Sequence, residues 1–244
     1  MLAVMAEIKG FLETSFVDWP GRVCAVIFLA GCNFRCPFCH NHPLVVAPDT
    51  LPSYSFEEVR QCLTRLKKWL GGICISGGEP TMTAGLAALL GRLKNEGWQL
   101  KLDTNGSRPR LLAELLAGGL LDMVSMDVKA PLDQEKYSRC AGTPVDLQRI
   151  RASIALLRGS GVEHEFRMTV VPRFHSAADI RQWAAALGDE GGRHPSRLKL
   201  QNFNPRTTLD PVLAGEKPFP AAAFADLQKI VANRGLAPAA VARG

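Results

Sequence analysis

"RVCAVIFLAGCNFRCPFCHNH" (residues 22–42) joins the two signals on which the interpretation of the whole chain depends. Residues 22–30 are mostly apolar and rich in β-branched side chains, a pattern typical of a buried strand. Residues 31–42, the cysteine loop, hold three cysteines and two histidines. Thiolates and imidazoles are metal ligands, so the sequence predicts a metal-binding loop directly after a buried strand.

Five more strand-like runs follow, at residues 72–76, 98–103, 122–128, 164–171 and 197–203. Helical periodicity predicts helices at residues 55–70, 86–97, 108–119, 146–161, 176–188 and within 220–233. The first of these helices begins with a capping box, because Glu58 lies three residues after Ser55. Strands that alternate with helices predict βα units and a parallel sheet.

A distinctive polar cluster ends each of the predicted strands. These clusters are the cysteine loop, GGEP (77–80), DTNG (103–106), MDVK (126–129), VVPR (170–173) and NFNP (202–205). Ligands of α/β proteins bind at the carboxyl ends of parallel strands. Because all the clusters would meet at one mouth, we expect an α/β fold of the partial (β/α)6 barrel type, a parallel sheet with outer helices, rather than an open doubly wound sheet.

Length and composition limit the class of protein. A chain of 244 residues can bury a core as one domain, so we expect a single domain over residues 1–244, with an N-terminal extension (1–21) and a flexible tail (235–244). No apolar run reaches about 18 residues, so no membrane partner is expected. The net charge of +6 comes without a dense Lys/Arg run, so no nucleic acid partner is expected. An odd count of seven cysteines, without a signal-peptide pattern, predicts a cytoplasmic protein.

Cys32, Cys36 and Cys39 have the spacing C-x3-C-x2-C. Structural zinc needs four ligands, and His40 or His42 could supply the fourth. An iron–sulfur cluster is favoured because zinc sites usually pair C-x2-C with a distant second pair, which is not found here. A cluster on three cysteines also keeps one iron open for chemistry. The other cysteines are expected to be small core residues or incidental: Cys24, Cys62, Cys74 and Cys140.

The cysteine loop, with the aromatic Phe38 before its last cysteine, and the GGEP turn after the next strand resemble the radical S-adenosylmethionine (SAM) superfamily. The longer run SFVDWPGRVCAVIFLAGCNFRCPFCHNHPLV (15–45) is similar to the activating enzymes of glycyl radical enzymes. It is most similar to those of anaerobic ribonucleoside-triphosphate reductase. The resemblance covers nearly the whole chain and implies a partial (β/α)6 barrel. It implies a single cluster, because no cysteine-rich insertion is present.

The resemblance implies a reaction and its partners. A reduced [4Fe–4S] cluster on Cys32, Cys36 and Cys39 would bind SAM and cleave its S–C5′ bond, and the 5′-deoxyadenosyl radical would take a hydrogen atom from a glycine of an anaerobic ribonucleotide reductase. A flavodoxin or ferredoxin would supply the electron. The alternatives are a small-molecule radical SAM enzyme, such as a 7-carboxy-7-deazaguanine synthase, a peptide maturase, and a zinc-stabilised binding module.

The resemblance also assigns residues to SAM. Gly77 and Gly78 would meet its methionine end and Glu79 its ammonium group, although GGEP could also be a simple turn. Phe38 and His40 would flank the adenine. Residues that end the later strands would surround the rest of SAM, namely Thr104, Met126, Asp127, Lys129, Arg167 and Asn202.

These later residues carry more specific expectations. Thr104 and Met126 would lie near the SAM carboxylate and, with Asp103 and Asp127, near a monovalent cation. Lys129 would add a positive charge beside the carboxylate. Arg167 would pair with SAM, since a charge within a strand is unfavourable unless it faces the mouth, and Asn202 would contact the ribose.

Two carboxylates are assigned to the substrate peptide. Asp18 and Asp103 would accept hydrogen bonds from backbone N–H groups of the partner's loop. The alternative for Asp18 is an ordinary turn before Pro20. The alternative for Asp103 is a cap on the helix that follows its strand.

Overall fold

The computed structural model describes residues 6–188 and 197–232, and the expected tail at residues 235–244 lies outside them. Within these ranges, seven strands form one sheet in chain order. They are β1 (Ile8–Ser15), β2 (Cys24–Leu29), β3 (Gly72–Gly77), β4 (Leu100–Thr104), β5 (Met123–Asp127), β6 (Glu163–Val170) and β7 (Arg197–Asn202). β1 and β2 are antiparallel, and each later pair of neighbours is parallel. Strands β2–β7 are the predicted parallel strands, which confirms the α/β fold of the partial-barrel type.

Eight α-helices occupy the described ranges. They are α1 (His42–Val46), α2 (Phe56–Leu66), α3 (Leu86–Asn95), α4 (Pro109–Ala117), α5 (Gln134–Ala141), α6 (Leu147–Gly159), α7 (Ala177–Leu187) and α8 (Ala221–Ala232). Each predicted helix is present, and the capping box of α2 forms: the Glu58 N–H donates to Ser55 Oγ at 3.2 Å and the Ser55 N–H to Glu58 Oε2 at 2.7 Å. Helices α1 and α5 were not predicted. None of these helices is long and apolar enough to span a bilayer.

Strand β1 lies inside the segment that was expected to be an extension (1–21). It pairs with β2 from Ile8 opposite Leu29 to Ser15 opposite Cys24, with irregular register at both ends. Its exposed side chains are mostly polar, and Gly10 interrupts it where an added Cβ would lie 3.2 Å from the Phe28 ring. A half-exposed edge strand with an internal glycine lacks the apolar run by which the other strands were recognised.

The sheet packs on two apolar clusters of different size. The larger one lies between the sheet and the helices and includes Ala25, Ile27 and Leu29 of β2. The smaller one is formed by the other face of the strands, where Cys24, Val26, Cys74 and Met123 surround Trp19. Trp19 is fully buried, and a Cβ on Gly72 would lie 2.6 Å from its ring. Trp19 therefore fills part of the barrel interior near the amino ends of its strands.

Candidate functional site

A cavity of about 510 Å³ occupies the barrel at the carboxyl ends of the strands. It brings together most of the predicted site residues, namely Asp18, Cys32, Cys36, Phe38, Cys39, His40, Gly77, Gly78, Asp103, Thr104, Asp127, Lys129, Arg167 and Asn202. Among the predicted residues, Glu79 and Met126 do not line it. Seven segments therefore contribute to one chamber, namely the turn before β2 and residues in or after each of β2–β7. The predicted VVPR cluster (170–173) contributes no lining residue.

The three thiols of the cysteine loop share one wall of this cavity. The backbone of the loop is fixed by hydrogen bonds from Arg35 Nη1 to the Cys32 carbonyl at 2.7 Å and from the Cys39 N–H to the Cys36 carbonyl at 3.0 Å. The Phe34 N–H donates to Cys32 Sγ at 3.3 Å. Burial raises the pKa of Cys36 to about 12, against the opposing charge of Lys129. Binding of a metal or cluster would therefore release protons from these thiols.

The chemistry of the three thiols fits an iron–sulfur cluster, because thiolates are the usual ligands of such clusters. Within the described residues, no group of three or more His, Cys, Asp or Glu side chains is arranged to hold a single metal ion. The irons of a [4Fe–4S] cluster occupy separate corners, so its thiolate ligands need not converge on one point. His40 lines the cavity whereas His42, the other zinc ligand considered, begins α1 and does not.

The two glycines of GGEP allow close packing between backbones. Gly77 has a φ of +132°, and a Cβ there would lie 2.1 Å from the Leu29 carbonyl oxygen. A Cβ on Gly78 would lie 2.1 Å from the Gly31 carbonyl oxygen. Two hydrogen bonds hold the backbones together at this contact. The Gly78 N–H donates to the Leu29 carbonyl at 3.0 Å, and the Glu79 N–H donates to the Gly31 carbonyl at 2.8 Å. The turn thus supports the chain immediately before Cys32, besides lining the cavity.

Glu79 does not line the cavity, and its contact with the ammonium group of SAM stays a prediction. Its side chain is fully buried, and its carboxylate accepts hydrogen bonds from the Thr81 hydroxyl and N–H, the Thr104 hydroxyl and the Asn105 N–H. Burial raises the pKa of this carboxyl group, and the hydrogen bonds from Thr81, Asn105 and Thr104 oppose the rise. Glu79 therefore ties the GGEP turn to the end of β4, because its oxygens are used by protein donors.

Met126 does not line the cavity either, and its place near the SAM carboxylate stays a prediction. It is fully buried in the large apolar cluster and its side chain lies under Gly106, where an added Cβ would meet Met126 Cε at 2.0 Å. Its thioether therefore packs beneath the DTNG turn, and only the neighbouring Thr104 and Asp127 reach the cavity.

Charged side chains on β4 and β6 and at or just after the end of β5 form a network at the floor of the cavity. Arg167 Nε donates to Asp127 Oδ1 at 2.9 Å and Nη1 to Asp103 Oδ2 at 3.3 Å. Lys129 donates to Asp127 Oδ2 at 3.0 Å, and Lys101 donates to Asp103 Oδ1. The network holds all five side chains in place before any ligand binds.

The same network sets the charge of its members. Burial alone would raise the pKa of Asp127, but Arg167 and Lys129 together hold it below its usual value. Burial likewise opposes ionisation of Asp103, and Arg167 and Lys101 together lower its pKa. Asp103 does not cap the following helix, whose N-cap is Arg108. That alternative is wrong, because the Asp103 carboxylate is already engaged within the barrel.

Asn202 lines the cavity but its amide is bound elsewhere. Its Nδ2 donates to the Phe219 carbonyl at 2.8 Å, and its Oδ1 accepts from the Phe219 N–H at 3.2 Å. This pairing ties the end of β7 to the segment before α8. Only the second N–H of Nδ2 and the second lone pair of Oδ1 therefore remain for the predicted contact with a ribose.

Polar residues that sequence reasoning missed complete the wall beside Cys32. Asn105 Nδ2 donates to Asn33 Oδ1 at 2.9 Å, and Asn33 Nδ2 donates to Ser107 Oγ at 2.9 Å. Asn41 Nδ2 donates to the Gly77 carbonyl at 2.9 Å. These asparagines lie within the cysteine loop and the DTNG motif. Their position next to predicted site residues was the signal in the sequence by which they could have been found. Other unpredicted lining residues are Phe28, Phe34, Val45, Ser76, Thr169, Gln201 and Asn204.

Asp18 approaches the cavity from the opposite end of the strands. It lies in the turn between β1 and β2, near the amino end of β2, whereas the cysteine loop follows the carboxyl end of β2. The Ser15 hydroxyl donates to Asp18 Oδ2 at 2.5 Å, and Ser15 Oγ accepts from the Asp18 N–H at 3.3 Å. Phe16 and Val17 on the same turn are 73% and 65% exposed. The cavity thus connects the thiols to a carboxylate beside an exposed apolar turn.

Comparison with known proteins agrees with this geometry. The radical SAM superfamily profile matches residues 26–184. A Methanocaldococcus jannaschii protein provisionally named a glycyl-radical enzyme activating enzyme is 32% identical over 84% of this chain and 83% of its own length. The pyruvate formate-lyase 1-activating enzyme of Escherichia coli is 29% identical over 70% of each chain.

A solved structure shows the same fold. SuiB from Streptococcus suis, bound to its precursor peptide SuiA, superposes with a TM-score of 0.65 at 17% identity. The superposition covers 85% of this chain and 45% of SuiB, so this chain spans less than half the length of that protein. At this identity the likeness concerns the arrangement of strands and helices alone.

Proposed function

The chain belongs to the radical SAM superfamily, and from this premise we propose that it is an activating enzyme that generates a glycyl radical on an anaerobic ribonucleoside-triphosphate reductase. It is a radical SAM enzyme, and its cofactors are the [4Fe–4S] cluster and SAM that this superfamily uses. The observation that carries the proposal is the single cavity that has the three thiols at one end and Asp18 at the other.

The cluster would be held by Cys32, Cys36 and Cys39. When bound and reduced by a flavodoxin or ferredoxin, it would supply the electron that cleaves SAM and so provide a radical able to take a hydrogen atom. The protein's part is to fix the thiols, which the backbone hydrogen bonds of the cysteine loop and the close contact of Gly78 with Gly31 do.

The remaining residues of the cavity would orient SAM. The amino-acid end of SAM carries both charges, and the network offers both: the Lys129 ammonium group and the Asp127 carboxylate, 3.0 Å apart. Thr104 lies beside them at the end of β4. The floor is only partly exposed, and SAM bound over it would exclude water, which strengthens such interactions and protects a reactive radical.

The substrate would enter past the turn between β1 and β2. A glycine is a chemically reachable target because loss of its α-hydrogen leaves a carbon radical stabilised by both flanking amides, and its lack of a side chain permits close approach. An extended loop offers backbone N–H groups, which the half-buried Asp18 carboxylate is placed to accept. Asp103 is less suited than predicted, because Lys101, Arg167 and Ser76 already donate to it.

Similarity in sequence favours this function over a peptide maturase or a small-molecule enzyme. The Methanocaldococcus jannaschii relative aligns over most of both chains, whereas the likeness to SuiB concerns the fold. The described residues 6–188 and 197–232 add few elements to the barrel beyond β1 and the segment that leads to α8. A cavity that reaches Asp18 suits a loop inserted from a partner.

The test mixes the reconstituted, reduced protein with SAM and the reductase from the same cell, and records the electron paramagnetic resonance spectrum. A doublet from coupling to the remaining α-hydrogen is expected, and it should collapse when the reductase contains α-deuterated glycine. Absence of the doublet while SAM is still cleaved would overturn the activating function and leave the cofactor assignment in place.

A further inference from the structure

Tyr137 of α5 carries a buried hydroxyl group without a partner. Its side chain is fully buried, and among the described residues its hydroxyl makes no hydrogen bond. A buried polar group left unpaired destabilises the folded protein. Such a group in a native protein needs an explanation, and a ligand that binds next to it is one.

Helix α5 packs directly on the cysteine loop. The Arg35 N–H donates to the Ala141 carbonyl at 2.8 Å. At the C-cap of α5, a Cβ on Gly142 would lie 2.0 Å from the Arg35 carbonyl oxygen, so only glycine allows this approach. Tyr137 lies one helical turn before Ala141, on the same face of the helix. The face of α5 that carries the unpaired hydroxyl is thus the face that contacts the residue before Cys36.

Cys36 is one of the groups close enough to act on the Tyr137 hydroxyl. Tyr137 and Cys36 lie in the same buried cluster. Burial raises the pKa of Tyr137, and the charges of Lys129 and Cys36 also act on its hydroxyl oxygen. The Lys129 backbone N–H acts on the same oxygen and lowers its pKa, and because an N–H can only donate, the hydroxyl proton is left without an acceptor. The Lys129 ammonium group already donates a hydrogen bond to Asp127.

We propose that Tyr137 donates its hydroxyl hydrogen bond to the sulfur of Cys36 when Cys36 binds the [4Fe–4S] cluster, and that it thereby raises the reduction potential of that cluster. The proposal rests on the cluster assignment made under Proposed function. Hydrogen bonds to the sulfurs of an iron–sulfur cluster favour the reduced form, because reduction adds negative charge to them. Tyr137 is therefore a positioning residue that acts through Cys36 and contacts neither SAM nor the substrate.

The experiment is a redox titration of the reconstituted full-length protein without SAM and without the reductase. Tyr137→Phe removes only the hydroxyl group. At a fixed potential near the wild-type midpoint, its ratio of reduced to oxidised cluster should be about three- to tenfold lower, which corresponds to about 30–60 mV for a one-electron couple. Tyr54→Phe is the matched control, because Tyr54 is the other tyrosine of the chain and is exposed. Its titration should equal that of the wild type.

A second variant strengthens the Tyr137 hydroxyl as a hydrogen-bond donor instead of removing it. In the Tyr54→Phe background, growth on 3-fluorotyrosine labels Tyr137 alone and makes its phenol a stronger donor. This protein should titrate at a higher potential than its unlabelled parent. The cluster-free Tyr137→Phe protein should unfold at a temperature equal to or above that of the wild type, because the unpaired hydroxyl contributes nothing without the cluster.

The outcomes separate the two proposals. If iron binds and neither Tyr137 variant shifts the potential, the role of Tyr137 is refuted and the proposed function stands. If the cluster-free Tyr137→Phe protein is strongly destabilised, the hydroxyl has a structural role and the inference is also refuted. If the wild type takes up no iron on Cys32, Cys36 and Cys39, both proposals fail.

Discussion

The two ends of the cavity are built differently. At the thiol end, the chain before Cys32 is fixed by backbone contacts with Gly77 and Gly78 that leave no room for a single methyl group. At the hairpin end, Asp18 is held chiefly through Ser15, and the adjoining apolar side chains are exposed. A cofactor that stays bound favours a rigid, buried site, whereas a partner that binds and leaves needs exposed groups on a stable support.

The support at the hairpin end is nonetheless firm. Trp19 follows Asp18 and is fully buried against the barrel interior. Its ring occupies the space beside Gly72, and Arg22 lies over it at 5.1 Å. The exposed residues Phe16 and Val17 are therefore carried by a turn that is anchored on both sides, by Ser15 and by Trp19. We expect variants at the thiol end to lose the cofactor and variants at the hairpin end to lose only the response to the partner.

The largest effect is expected at Cys36. Cys36→Ala should abolish the binding of about 4 irons per chain, the content of one cubane, because the remaining thiols cannot hold it. Cys62→Ala, which removes a buried thiol of α2, should keep the full iron content. Iron and absorbance are measured after anaerobic reconstitution. Iron retained in Cys36→Ala, or lost in Cys62→Ala, would contradict the contrast between the cavity thiols and the core thiols.

The next effect concerns Gly78. In Gly78→Ala the new Cβ would need the space of the Gly31 carbonyl, 2.1 Å away, so the cysteine loop should shift. Iron content should fall severalfold, and SAM affinity should fall at least tenfold with it. The control is Gly91→Ala in α3, where a Cβ would meet nothing within 4 Å. It should stabilise the helix by about 0.5–1 kcal/mol and leave both cofactors unaffected.

An alternative outcome would reassign this turn. If Gly78→Ala bound iron normally and lost only SAM affinity, the glycine would serve the ligand rather than the packing of the cysteine loop. Equilibrium dialysis with SAM on protein of known iron content separates these possibilities.

Much of the fold could be predicted because its signals are local. Parallel strands are buried on both faces and show continuous apolar runs, and the helix starts are marked by side-chain caps such as Ser55. Strand β1 was missed because a half-exposed edge strand is defined by its neighbour rather than by its own composition. Helix α5 was missed because it is polar and short, and is fixed by Asp133 at one end and the contact of Gly142 with Arg35 at the other.

The sequence predicted which residues line the site better than it predicted their contacts. The ends of parallel strands meet at one edge of a sheet regardless of side-chain direction, so most motif residues line the cavity. The direction of each side chain depends on partners distant in sequence. Glu79 turns toward Thr104 and Asn105, and Met126 turns under Gly106, because those contacts satisfy a buried carboxylate and fill a buried space. No spacing rule within one motif reports such partners.

A smaller effect is expected at the hairpin end, from Asp18. Asp18→Asn keeps the shape and the link to Ser15 but removes the charge that strengthens hydrogen bonds from peptide N–H groups. The yield of glycyl radical should fall about tenfold, equivalent to about 1.4 kcal/mol. Iron content, SAM affinity and partner-independent SAM cleavage should not change. The control is Asp226→Asn on the exposed face of α8. Loss of SAM affinity in Asp18→Asn would place this carboxylate in the cofactor site.

The smallest effect is expected at Phe16. Its side chain is 73% exposed beside Asp18, so a docked partner would cover part of it. Full burial of such a side chain contributes about 1.5–3 kcal/mol, and partial cover at the rim of an interface contributes less. Phe16→Ser should therefore raise the KM for the reductase about three- to tenfold, with kcat unchanged. Val212→Ser is the control, because Val212 is 64% exposed and lies after β7, in the segment before α8. Equal effects of the two substitutions would show that the partner docks over a wider surface than the hairpin end. A fall in kcat for Phe16→Ser would show that the turn positions the partner's loop rather than binding it.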